Sequence, residues 1–101
     1  MPRYLEAKVV VVVGAGSDAH RAVAVALAEA GADVAIAGEA AGLSAEAALH
    51  SIANEIWALG RRSMVVTLTA DASSFAAALA KVQADLGRAD LVVRCDAVLS
   101  A

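Results

Sequence analysis

The chain has 101 residues, of which 60% are hydrophobic and only 19% are charged, with a formal net charge of −3. This length suits one domain, and the negative net charge with scattered basic residues argues against nucleic acid as a partner. No apolar run is long enough to span a membrane, and Cys95 as the only cysteine excludes an intrachain disulfide. We therefore expect a cytoplasmic protein with neither nucleic acid nor membrane as a partner. The apolar excess in so short a chain suggests surface that another protein covers.

The residues from Lys8 to Gly31 predict a buried strand, a glycine turn and a helix. Val9–Val13 is a run of five valines without polar alternation, which suits a parallel strand covered on both faces. Gly14–Ser17 supplies the tight turn, and Ala19–Ala30 places three apolar residues at helical spacing, namely Val23, Leu27 and Ala30. Such a unit opens dinucleotide-binding folds.

Two more helices are predicted downstream. Ser44 is the expected N-cap of the second, whose apolar stripe comprises Leu49, Ile52, Ile56 and Leu59. Residues 71–74 cap the third, whose stripe comprises Phe75, Leu79, Val82 and Leu86. Strands are predicted between these helices at Val34–Ala37, Met64–Leu68 and from Leu91 to Val93 or Cys95.

The alternation of strands and helices predicts an α/β fold with right-handed crossovers. We expect a three-layer, Rossmann-like βαβαβαβ domain over residues 1–101 with a four-stranded parallel sheet, for which the dinucleotide-binding fold that the opening unit indicates gives the order 3-2-1-4. Two helices then cover one face of the sheet and one helix covers the other. The fourth strand becomes an edge of this sheet.

Nearly all of the chain resembles the N-terminal part of the short-chain dehydrogenase/reductase family. The family's TGxxxGxG turn corresponds to VGAGSDAH at residues 13–20. The end of its second helix with the third strand corresponds to ALGRRSMVV, and the end of its third helix with the fourth strand corresponds to LGRADLVV. Its NNAG segment is replaced by Arg94, Cys95, Asp96 and Ala97. The sequence ends before the family's catalytic Ser, Tyr and Lys, so the resemblance implies a truncated protein without catalytic residues.

The resemblance also implies that the phosphate-binding turn is degraded. Glycines in such a turn let the backbone approach a pyrophosphate at the helix N-terminus. Gly14 is retained, but Asp18 and His20 replace the other two glycines. A carboxylate roughly 5 Å from a phosphate costs ~3 kcal/mol at an effective dielectric constant of ~20. We expect His20 to be a surface or capping residue, with a role as acid or base as the alternative.

The positions that would hold adenosine have changed as well. Gly38 stands where members using NAD have an acid, and Glu39 stands where members using NADP often have arginine. Glu39 would repel the 2′-phosphate but could hold an NAD ribose. Thr69 replaces an Asp near the adenine, unless Asp71 takes that place.

We therefore predict a vestigial cofactor site, formed by Gly14, Gly16, Ser17, Asp18 and Glu39, that holds no cofactor. Weak NAD binding is the alternative. Cys95 is interpreted as a small apolar filler, although Arg94 beside it could also activate the thiol.

The predicted function is that of a non-catalytic protein that associates with another chain. An apolar edge strand pairs readily with other chains, so we predict a homodimer or a hetero-oligomer with a full-length relative. The predicted interface comprises Phe75, Leu79, Val82, Leu91, Val92 and Val93. The alternatives are a small module that binds NAD(P) or an adenine nucleotide, and one part of a split oxidoreductase.

Overall fold

The computed structural model describes residues 4–39, 42–69 and 71–95. Within these residues, strands and helices alternate as β1 (Val9–Val13), α1 (Asp18–Glu29), β2 (Asp33–Glu39), α2 (Leu43–Ala58), β3 (Ser63–Leu68), α3 (Ala72–Asp85) and β4 (Leu91–Arg94). The strands form one parallel sheet of order β3-β2-β1-β4. This arrangement confirms the predicted Rossmann-like fold and strand order.

The strand β1 lies in the middle of the sheet and is buried on both faces. No valine of this strand is more than 4% exposed. Val10 and Val12 pack in the core under α1 and α2, whereas Val9, Val11 and Val13 pack in the core under α3. The unbroken valine run is therefore explained by two cores, one on each side of the sheet.

The helix α1 approaches the sheet through small side chains. Its buried residues are His20, Ala24 and Ala28, which follow one another at intervals of four. The predicted stripe was wrong in its details, because Val23 and Leu27 are only partly buried at the edges of the core. Alanine at the centre of the contact lets the helix backbone lie close to β1 and β2.

The helix α2 packs beside α1 through Leu49, Ile52 and Ile56, as predicted, whereas Leu59 follows the helix and is 42% exposed. The prediction that Ser44 caps this helix was wrong. The helix begins at Leu43, two residues before the start that a cap at Ser44 would give, and its N-cap position is Gly42, which has no side chain to form a capping hydrogen bond. Two helices thus cover this face, in agreement with the expected layers.

The helix α3 covers the opposite face of the sheet. Asp71 is its N-cap and accepts a hydrogen bond from the backbone N–H of Ser73 at 3.0 Å, as the sequence indicated. Val82 is fully buried in the core beneath this helix, and Phe75 and Leu79 are partly buried there. Val82 therefore belongs to the chain's own core rather than to a surface open to a partner.

The strand β4 forms one edge of the described sheet. It pairs with β1 in register, and Asp90 anchors it by accepting a hydrogen bond from the backbone N–H of Val9 at 2.9 Å. Leu91 and Val92 keep 49% and 37% of their surface exposed. Leu91 lies opposite Val10 and Val92 opposite Val11, so the two exposed side chains lie on different faces of the sheet.

Among the described residues, no helix is both long and apolar enough to cross a membrane.

Candidate functional site

A cleft of about 400 Å³ opens where the carboxyl ends of the strands meet. The residues that line it come from the ends of the four strands and from the start of α3, and include Gly14, Glu39, Thr69, Asp71, Phe75 and Arg94. In open α/β sheets, ligands bind at this edge, near the point where the strand order reverses. The reversal here lies between β1 and β4.

The turn after β1 is held by a buried imidazole. The backbone N–H of Gly16 donates a hydrogen bond to Nδ1 of His20 at 3.0 Å, and Nε2 of the same ring lies 2.9 Å from the carbonyl oxygen of Val12. Because a carbonyl oxygen only accepts, Nε2 carries a proton. Nδ1 accepts from the Gly16 N–H and therefore carries none, so the imidazole in this arrangement is neutral. His20 is 0% exposed. The expectation of a surface or capping histidine was therefore wrong.

The residue opposite this imidazole explains why the ring fits. A Cβ atom on Gly14 would lie 2.7 Å from Cγ and from Nδ1 of His20. The retained glycine thus makes room for a histidine ring in this chain. The sequence carried a signal for this burial, because His20 precedes Ala24 and Ala28 at intervals of four on the buried face of α1.

Ser17 and Asp18 lie at the start of α1, beside the cleft. Ser17 is the N-cap, and its hydroxyl oxygen accepts a hydrogen bond from the backbone N–H of His20 at 3.2 Å. Asp18 is exposed in the first helical turn, where its charge interacts favourably with the helix dipole. Both residues therefore stabilise the helix start at the place where a phosphate would bind in a dinucleotide fold.

The end of β2 has no room for a side chain at position 38. A Cβ atom on Gly38 would lie 2.4 Å from the carbonyl oxygen of Gly14 and 3.1 Å from Cδ2 of Leu49. An acid cannot be placed there without moving the backbone. Glu39, one residue further along, is exposed and lines the cleft.

The remaining predicted positions also lie around the cleft. The backbone N–H of Thr69 donates to the hydroxyl oxygen of Ser74 at 3.0 Å, and Asp71 caps α3. The hydrogen bonds from Ser73 lower the pKa of Asp71, first through the Ser73 backbone and then through its side chain. Arg94 lines the cleft at the end of β4. Asp96 and Ala97 lie outside the described residues.

Cys95 is partly buried and packs against the core under α1 and α2, which agrees with its interpretation as an apolar filler. Of the predicted cofactor residues, Gly14 and Glu39 line the cleft, whereas Gly16 belongs to the adjoining turn and Ser17 and Asp18 to the start of α1. In the part of the chain that the structure describes, no group of three His, Cys, Asp or Glu residues could hold a metal ion.

The described residues do not fit the pyrophosphate of a dinucleotide. Of the turn's backbone donors, the Gly16 N–H is already bonded to His20, and Asp18 places a carboxylate at the helix N-terminus. Glu39 adds a second negative charge at the end of β2, where it would disfavour a 2′-phosphate. The cleft persists, but its chemistry differs from that of a phosphate-binding site.

Comparisons with known proteins relate this architecture to solved structures. A short-chain type dehydrogenase/reductase from Mycobacterium marinum is 28% identical, with a TM-score of 0.75 over 87% of this chain and 34% of that chain. A blue fluorescent protein from a metagenomic library, solved in complex with NADPH, is 28% identical, with a TM-score of 0.79 over 87% and 35%. A hydroxysteroid dehydrogenase from Escherichia coli shares the fold at 24% identity and a TM-score of 0.77, over 89% and 37%.

No protein-family model and no curated protein matches the chain. The chain spans only about a third of the length of the solved structures that it resembles.

Proposed function

We propose that this chain, which resembles the N-terminal part of the short-chain dehydrogenases/reductases in fold and sequence, is a non-catalytic protein that works by association. Its partner is a second copy of itself or a full-length protein of the same kind. The observation that carries this proposal is the apolar edge at β4, where Leu91 and Val92 are exposed on opposite faces of the sheet. We also propose a cytoplasmic location, in keeping with a sequence that contains one cysteine.

The edge strand has the features of a pairing surface. Among the described residues, β4 is hydrogen-bonded to β1 along one side only, so its other side offers backbone donors and acceptors. A partner strand added there would also cover Leu91 and Val92. Of the other predicted interface residues, three are partly buried, so only part of each side chain is accessible to a partner: Phe75, Leu79 and Val93. Val82 is fully buried and is not accessible.

The cleft supports the non-catalytic part of the proposal. Glu39 and Asp71 supply negative charge, and the turn after β1 already uses its Gly16 N–H internally. A phosphate group entering this edge would be repelled by these two carboxylates and attracted by Arg94, which lines the same cleft, and it would lack the Gly16 N–H as a donor. The chain thereby keeps the scaffold of a dinucleotide fold without its phosphate contacts.

Association is tested by light scattering after gel filtration at tens of micromolar protein. We expect the unchanged protein to run as a dimer, and Val92→Lys and Leu91→Lys to shift it to the monomer mass. The matched control is Leu43→Lys, which charges a leucine that is 87% exposed at the start of α2. A dimer that survives both edge variants would reject β4 as the interface.

A monomer at every concentration would reject self-association and leave the hetero-oligomer. The chain is then co-expressed, carrying an affinity tag, with the full-length short-chain dehydrogenase/reductase encoded nearest to it. Co-purification in a fixed ratio that is lost with Val92→Lys supports the mixed complex. Failure of the two proteins to co-purify would contradict it.

A small nucleotide-binding module is the second candidate. It is favoured by the cleft itself, because Glu39 and Gly14 line one space that could receive a ribose. Calorimetric titration with NAD, NADP and ATP separates the candidates. The non-catalytic proposal expects no heat of binding at millimolar ligand, whereas clear saturation by NAD would support the module.

A further inference from the structure

We propose that His20 is an internal ligand of the turn after β1, and that its imidazole, rather than the carboxylate of Asp18, is what closes this turn to a pyrophosphate. The proposal concerns the turn alone. It does not depend on the association of the chain through β4, and either proposal can fail without the other.

The two ring nitrogens of His20 are bonded to opposite sides of the turn. Nδ1 accepts from the Gly16 N–H, and Nε2–H donates to the carbonyl oxygen of Val12, the penultimate residue of β1. Gly14 lies between these two points, close against the ring. The imidazole therefore bridges the strand and the turn with both of its polar atoms hydrogen-bonded.

The Gly16 N–H is a donor of the kind that binds phosphate in glycine-rich turns. For an anion to use it, the bond to His20 must break. Nδ1 would then be left as a buried acceptor without its donor, which is an unfavourable state for a group that is 0% exposed. The hydrogen bond from the Gly16 N–H to Nδ1 of His20 therefore competes directly with an anion for the same donor.

Asp18 acts differently. Its side chain is exposed in the first turn of α1, so it can rotate into solvent and its charge is screened by salt. Repulsion by Asp18 therefore weakens as ionic strength rises, whereas the hydrogen bond to His20 does not. The two residues predict different outcomes when each is changed alone.

The test compares Asp18→Asn, His20→Gly and the double variant, with sodium pyrophosphate as the probe. Binding is followed by calorimetry and by the NMR shift of the Gly16 amide. We expect Asp18→Asn to stay within threefold of the unchanged protein. His20→Gly should bind at least tenfold more tightly and move the Gly16 amide on titration. Equal gains from Asp18→Asn alone and from the double variant would overturn the proposal, as would a double variant that binds no pyrophosphate while folded.

A measurement on the unchanged protein keeps the proposal testable if His20→Gly does not fold. Nitrogen-15 NMR should show His20 with its proton on Nε2 and a scalar coupling between the Gly16 amide nitrogen and Nδ1 across the hydrogen bond. The Gly16 amide should also exchange slowly with solvent. A proton on Nδ1, or a rapidly exchanging Gly16 amide without this coupling, would overturn the proposal.

Discussion

The imidazole of His20 lies in the space that a side chain on Gly14 would need. A Cβ atom at position 14 would stand 2.7 Å from two ring atoms of His20 and 3.1 Å from its Cβ. In a dinucleotide-binding turn, the same glycine allows a tight turn near the ligand. In this chain it also allows the chain's own histidine to fill that space.

This relationship predicts a strong coupling between positions 14 and 20. Gly14→Ala should lower the free energy of unfolding by about 1–3 kcal/mol, because the added methyl group overpacks against the ring. In a His20→Gly background the same change should cost much less, since the ring and its Cβ are gone. Urea unfolding followed by circular dichroism measures both values. Costs that simply add in the double variant would show that the two residues do not compete for this space.

Restoring an acid at position 38 should fail. Gly38→Asp places a Cβ atom 2.4 Å from the carbonyl oxygen of Gly14, so the backbone must shift. We expect a loss of at least about 2 kcal/mol in the free energy of unfolding and no gain in NAD binding. The control is Glu39→Asp, an exposed neighbour whose change should stay within about 0.5 kcal/mol. A stable Gly38→Asp protein that binds NAD would contradict the geometry.

Arg62 links the start of β2 to the end of α3. Its guanidinium pairs with Asp33 at 2.9 Å and also donates to the carbonyl oxygen of Leu86 at 3.0 Å. Because its side chain is 61% exposed, Arg62→Ala should cost only about 0.5–1 kcal/mol. Arg62→Lys should recover only part of this loss, because the lysine ammonium keeps the positive charge but lacks the planar guanidinium that reaches both Asp33 and the Leu86 carbonyl oxygen. The exposed Arg88→Ala serves as the control, and urea midpoints that do not differ among the three variants would contradict the bridge.

The N-cap of α3 predicts a dependence of stability on acid pH. The pKa of Asp71 is lowered from 3.8 because its carboxylate accepts hydrogen bonds from Ser73. The folded state therefore binds this proton less readily than the unfolded state, so the contribution of Asp71 is complete above pH 3.8. This contribution to stability is lost as the pH falls through the lower pKa that Asp71 has in the folded protein. Asp71→Asn should remove this part of the pH dependence, which melting temperatures measured from pH 2 to 5 can detect.

If the melting temperatures of the Asp71→Asn variant and the unchanged protein fall in parallel across this range, the cap does not contribute as described. The matched control is Asp85→Asn, at the opposite end of α3. Its carboxylate is exposed, and Asp85→Asn should leave the decrease of the melting temperature from pH 5 to pH 2 as it is in the unchanged protein.

The order of elements could be predicted from the sequence because periodicity records the burial of each element separately. Five consecutive valines require two covered faces, and β1 is buried on both. The stripe of α2 and the N-cap of α3 were also readable, since each depends on residues only a few positions apart. These local patterns with right-handed crossovers predict a parallel sheet, whereas the strand order 3-2-1-4 was predicted from the resemblance to a known fold.

The state of the site depended on contacts between elements, which no local pattern records. His20 is polar and was therefore predicted to lie at the surface, yet the tertiary structure buries it between Gly14, Gly16 and Val12. Val82 was likewise assigned to an interface on the basis of its stripe, although the chain's own sheet covers it completely. By itself, the sequence determined which faces of the strands and helices are apolar and in what order strands and helices alternate. Only the tertiary structure decided which atoms fill the space at the turn, because that depends on the distances between β1, the turn and α1 once they pack together.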